Sequence, residues 1–121
     1  MIGPVRLVNL TTHPVVVLDG SREVLRVPVD GRFARVRDVE CAAGTLCSDG
    51  ETVQVATLRR AQELVDLPAP ELGTVFVVSR LTAAAALDRT DLVFPLDEVR
   101  GSAGEIIGCR RLGTFESGGA R

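Results

Sequence analysis

Lysine, tryptophan and tyrosine are absent from this 121-residue chain, and histidine occurs once. Without lysine, any anion site has to be built from arginine, backbone amides or His13. All 14 basic residues are arginine, whose guanidinium fork suits phosphate and carboxylate better than an ammonium does. With four phenylalanines as the only aromatics and a net charge of −2, there is neither a stacking platform nor a basic groove for polymeric nucleic acid, and no field to draw an anionic membrane. No apolar run reaches the length of a membrane span. Cys41, Cys47 and Cys109 include no C-x2-C pair, so they read as inert thiols and no metal is expected. There is no G-x-G-x-x-G, no G-x-x-x-x-G-K-S and no G-x-S-x-G, which removes the phosphate-cradling loops and the nucleophile elbow. No cofactor is implied.

What is present describes a small β-rich domain. The length is that of one domain, and 45% apolar with 25% charged residues is the balance of a globular chain able to bury a core. Apolar, β-branched runs predict strands over 5–10, 15–18, 23–29, 32–37, 51–56, 74–79, 92–95 and 105–109. Asp19-Gly20 marks a hairpin, and Pro28 means that the third strand ends there or runs along an edge. The stretch 74–79, with Val75-Phe76-Val77-Val78, reads as buried on both faces. Residues 82–87 have the best helix propensity, with Thr82 as the expected N-cap. Residues 38–50 read as loop, and 58–67 fit a helix or a strand, leaning toward extended. The expected fold is mainly β (α+β): an antiparallel sheet or small barrel of seven or eight short strands with one or two short helices. The domain is expected over 1–115, with a disordered tail over 116–121. The first ten residues, MIGPVRLVNL, do not read as an export signal, so a cytoplasmic location with reduced thiols is expected.

Chemistry-bearing residues cluster around the clearest strand. Ser79 and Arg80 follow it, and Arg89 and Asp91 open the next apolar run. Arg100 stands where that run gives way to a glycine-rich turn. An arginine leaving a buried strand can grip a phosphate or carboxylate with two parallel hydrogen bonds. For Arg89 a structural pair with Asp91 or Asp97 is the competing reading. His13 is the one side chain whose unperturbed charge changes near neutral pH, and Thr11 and Thr12 set hydroxyls beside it. Ser79, His13 and Asp91 form a Ser-His-Asp set by residue type alone. Gly101, Gly104 and Gly108 read as turn glycines.

The segments NLTTHPVVVLDG and LPAPELGTVFVVSRLTAAAALDRTDLVFPLDEVRGSAGEIIGCRRL resemble a group of small actinobacterial, phage and prophage proteins. Their shared pattern is N-L-T-P-H, G-T-x-Y/F-x-V-S, R-x-D-L-x-x-P, V-R-D and G-x-x-x-G-C. Thr12 stands where the pattern has proline, and Gly101 where it has the aspartate after Arg100. The layout is also similar to that of the anti-Thoeris phage sponge proteins, small oligomers that sequester nucleotide signals without cleaving them. That similarity implies a non-enzymatic protein that sequesters a small anionic ligand, of nucleotide type, and assembles as a homo-oligomer such as a dimer. The expected ligand contacts are Thr12, His13, Ser79, Arg80, Arg89, Asp91 and Arg100, with Phe76 or Phe94 as an apolar wall. A small hydrolase using Ser79 or His13, and an interaction protein that dimerises through its strands, are the alternatives.

Overall fold

The structure is a computed structural model that describes residues 4–58 and 63–116. Its elements run β1 (Arg6–Asn9), β2 (Val15–Asp19), β3 (Arg22–Val27), β4 (Arg35–Arg37), β5 (Glu40–Ser48), β6 (Glu51–Leu58), β7 (Glu63–Val65), β8 (Thr74–Val77), α1 (Arg80–Ala84), β9 (Leu92–Arg100) and β10 (Ile106–Gly113). The protein is mainly β.

Six strands form one sheet in the order β1-β8-β9-β10-β2-β3. Its two ends come back together through a parallel bridge between Asn9 and Val29 and a 2.9 Å bond from the Asp30 amide to the Asn9 carbonyl. The sheet is therefore a nearly closed small barrel. It is mixed rather than antiparallel. β1 runs parallel to β8, β8 to β9 and β10 to β2, while β9–β10 and β2–β3 are antiparallel hairpins. Parallel partners need long connections, and here the chain from β2 to β7 lies between β1 and its neighbour β8.

β8 is the hub. Phe76 and Val78 face one core with Val8, Leu10, Leu92, Phe94 and, from α1 and its C-terminal turn, Ala83 and Ala86. Val77 faces the other, with Val15, Val27 and Cys109. Burial on both faces is what the unbroken apolar run 75–78 encodes. Phe76 is fully buried and Phe94 is nearly so, each contributing about 1.5–3 kcal/mol by removal from water. β4 pairs with β7 as a two-stranded patch, and β5 pairs with β6 as a separate hairpin.

Several local expectations change. Residues 38–50 are not loop: β5 occupies most of them and turns into β6 through Asp49 and Gly50, both at positive φ (51° and 78°) as a type I′ turn requires. The count is ten strands among the described residues, not seven or eight. The strand expected over 32–37 shrinks to Arg35–Arg37, and the strand over 92–95 extends through Pro95 to Arg100. β7 makes part of 58–67 extended, while 59–62 lie outside the described residues, as do 117–121 of the expected tail. The helix starts two residues early, at Arg80, because Ser79 rather than Thr82 is its N-cap. Gly108 lies inside β10, not in a turn. A Cβ there would stand 2.9 Å from the Val16 carbonyl oxygen, so glycine is what lets β10 lie against β2.

Candidate functional site

The loop after β1 is organised by Asn9, which is 1% exposed. Its amide Nδ2 donates to the carbonyls of His13 (2.8 Å) and Val27 (3.0 Å). Its Oδ1 accepts from the Thr11 backbone amide (2.9 Å) and from the Thr11 hydroxyl (2.6 Å). Those four bonds curl Thr11–His13 away from the sheet and leave the His13 side chain exposed at the rim. Asn9 was not among the expected site residues. Its signal was an asparagine ending an apolar strand two residues before a hydroxyl, the sequence form of an Asx turn.

On the other side of the rim stands the start of α1. The Ser79 hydroxyl accepts from the Thr82 amide (3.1 Å) and donates to Thr82 Oγ1 (2.9 Å). Its capping role consumes that oxygen, and no hydrogen bond joins it to His13 or Asp91 among the described residues. Arg80 follows, exposed, with its guanidinium carbon 5.4 Å from the Phe94 ring centroid. Phe94 is itself fixed by its burial and by packing 4.9 Å from the Phe115 ring. The stacked face is satisfied by the ring's quadrupole, while the N–H groups stay available at the guanidinium edge. Among the described residues Arg80 has no ion pair.

Between these two rims lies a cavity of about 870 Å³, within the size range of small-molecule sites. Thr11, His13, Ser79 and Arg80 edge it. Its walls are apolar: Pro14, Val15 and Val16, Pro95 and Leu96 of β9, and Ile106 and Ile107 of β10. Asp97, Glu98 and Cys109 complete it. Asp97 sits in the middle of β9 at φ 59°, an uncommon conformation for a residue with a side chain. Its carboxylate accepts from Arg111 Nε at 2.6 Å. Glu98 has no ion pair among the described residues. Burial pushes the Cys109 thiol above its ordinary pKa. The Leu96 backbone bond pulls the other way, and the nearby Glu98 and Asp97 carboxylates add to the rise. A ligand here therefore meets Arg80 and His13 together with the two acids Asp97 and Glu98.

The remaining expected residues stand elsewhere. Arg89 donates to Asp91 from Nε and Nη2 through two parallel bonds of 2.8 Å, and the same Nη2 donates to the Pro68 carbonyl at 2.9 Å. The two side chains are only 16% and 14% exposed. The Asp91 hydrogen bond, opposed by burial, holds the Arg89 pKa above the usual guanidinium range. This pair is structural, and Arg89 borders a smaller hollow of about 260 Å³ beside Leu92 and Phe115. Arg100 donates to the Gly104 carbonyl at 2.8 Å and braces the β9–β10 turn. Thr12 is exposed and does not line the large cavity. Phe76 is fully buried and touches no solvent, while Phe94 backs Arg80. The three arginines expected to converge are thus dispersed, and His13, Ser79 and Arg80 are the expected residues gathered at one cavity.

Among the described residues no three His, Cys, Asp or Glu side chains gather as a metal centre needs, and no helix is long and apolar enough to cross a membrane. No protein-family model, curated protein or solved structure matches the chain.

Proposed function

We propose that the protein binds a small anionic ligand of nucleotide type in the 870 Å³ cavity and holds it without transforming it. The observation that carries this reading is Arg80, a guanidinium unpaired with any carboxylate among the described residues, stacked on a buried ring and presented to an apolar-walled cavity. His13 lines the same space. The apolar walls accept a flat base, and Glu98, an acceptor with no ion pair among the described residues, suits the N–H donors of a base edge. Ser79 is engaged as a helix cap and Asp91 by Arg89, which disfavours a hydrolase that uses Ser79 as nucleophile.

Titration calorimetry with a mononucleotide panel and inorganic phosphate tests this. Loss of one charged hydrogen-bonding side chain costs about 1.5–3 kcal/mol, so Arg80→Ala weakens binding roughly 10- to 100-fold. Arg100→Ala leaves the affinity within about twofold, because its guanidinium is spent on the Gly104 carbonyl. Absence of binding, equal affinity in Arg80→Ala, or recovery of a cleaved ligand each overturns the proposal.

A further inference from the structure

The β5–β6 hairpin is an arm without a partner. Of its nine- and eight-residue strands only Val55 is half-buried and every other residue is exposed. Nine extended residues reach about 30 Å. A two-stranded ribbon alone in water is marginally stable at best, and nothing in the described body covers this one. It is also two-faced. The register sets Leu46 opposite Val53, with Val55 on the same side, while Thr45, Gln54 and Thr52 share the other. Leu46 is 63% exposed and Val53 55%. Between Cys41 and Ser48, and between Thr52 and Leu58, there is no charge and no proline, and β6 carries neither of these guards against strand pairing; the one bulge, at Ala43–Gly44, lies in β5.

The same chain carries a matching site. β3 ends the sheet order, and the bridge that closes the barrel lies beyond it at Val29. From Arg22 to Arg26 its outer edge has no strand partner among the described residues, and Val24 and Leu25 are 44% and 40% exposed there. Charge favours arm on body over arm on arm. The arm holds Glu40, Asp49 and Glu51 and no arginine, which leaves fourteen arginines against thirteen acids in the rest of the chain. Arg22 and Arg26 on β3 keep 73% and 55% of their side chains exposed although Arg22 stands 4.0 Å from Asp19 and Arg26 is hydrogen-bonded to Glu23, so both stay within reach of a docked acid.

We infer that the arm docks along the β3 edge of a second copy of this chain, and that two arms do so reciprocally about a two-fold axis. Such an exchange extends each free β3 edge, and the two-fold axis makes the contact close on itself rather than propagate. A standard interface uses about 20–30 residues a side, and each copy draws its share from the nine- and eight-residue strands of the arm and the six residues of β3.

Size exclusion with light scattering on the full chain tests this. The wild type runs at twice its 12.9 kDa chain mass. Leu46→Arg with Val53→Arg, at exposed positions, gives a monomer whose far-ultraviolet dichroism still shows the barrel. Thr45→Arg with Gln54→Arg, on the polar face, stays dimeric. Arg22→Glu with Arg26→Glu weakens the dimer at least tenfold, and adding Glu40→Arg and Glu51→Arg to it restores association. A monomeric wild type, or a dimer indifferent to Leu46→Arg and Val53→Arg, overturns the inference. A dimer indifferent to the β3 reversals overturns the docking site.

Discussion

Asn9 shows how much one side chain can organise. It satisfies two carbonyls and accepts from one residue twice, so Asn9→Asp replaces a donor by an acceptor facing the His13 and Val27 carbonyls. That change lowers stability by about 2–4 kcal/mol at pH 7, read by urea unfolding, and only part of the loss is recovered when the aspartate is protonated, because a carboxyl has one O–H for two carbonyls. Arg89 is the other residue whose loss is costly. Its fork on Asp91 is largely shielded from water, so Arg89→Met costs about 2–3 kcal/mol. Arg111→Met, whose pair with Asp97 is exposed, leaves the urea midpoint nearly unchanged. The Arg-x-Asp spacing made both a ligand grip and an internal pair legible for Arg89, and burial decided for the pair. Ser79 was legible as a polar group at the end of a strand. Its capping role was not, because a serine and a threonine three residues apart can each begin the helix. The cysteines divide by exposure: a thiol reagent modifies Cys41 and Cys47 rapidly and reaches the buried Cys109 only on unfolding. Modification of all three at one rate would contradict the structure.

At the level of elements, glycine placement and turn chemistry set the outcome. Gly108→Ala forces β10 away from the Val16 carbonyl and costs about 1–3 kcal/mol, measured as a fall in the denaturation midpoint. Gly104, at φ 87° in the β9–β10 turn, answers to a different constraint, which is backbone hand. The sequence shows both as glycines and separates neither, because close approach depends on a strand 92 residues away: Val17 pairs Cys109. The β5 half of the arm was missed, although β6 was expected over 51–56 and the Asp49-Gly50 turn is a strong hairpin signal. Its alternation is blurred by a bulge at Ala43–Gly44, and small residues hide the pattern. The β2–β3 hairpin and the connection that follows it carry the acid-sensitive pairs. The Arg26 hydrogen bond lowers the Glu23 pKa, and the Arg32 hydrogen bond lowers that of Asp30. A depressed carboxylate adds stability above its unfolded pKa and loses it as pH falls through the folded value. Amide-exchange protection in residues 22–32, taken relative to the unstructured chain at the same pH, therefore falls below about pH 4, where free carboxylates protonate. Cys109 acts in the opposite sense. Its raised pKa gives stability that is full below the ordinary thiol range and is lost as pH rises through the folded value.

For the whole molecule, the fold class was readable from alternating runs and frequent turn signals, and the two-faced burial of β8 from its unbroken apolar stretch. The parallel pairings were not readable, because nothing local in Val5–Leu10 names 74–77 as its neighbour. The candidate site was readable in part for the same reason. His13, Ser79 and Arg80 meet because the β1–β2 loop and the start of α1 reach one end of the barrel, and Glu98 joins them through a long β9 that was expected to stop at Pro95. The pairing of β1 with β8 has a consequence for how the protein is made. Arg6 lies beside Thr74, and Val17 beside Cys109. During synthesis the first strand therefore leaves the ribosome long before the residues that will flank it exist. The β2–β3 and β5–β6 ribbons can close at once, but the barrel must wait for the last hairpin. Refolding of the intact chain should accordingly be slow, in the millisecond-to-second range typical of non-local β topologies. A nascent chain halted before Ile106 should remain sensitive to protease throughout.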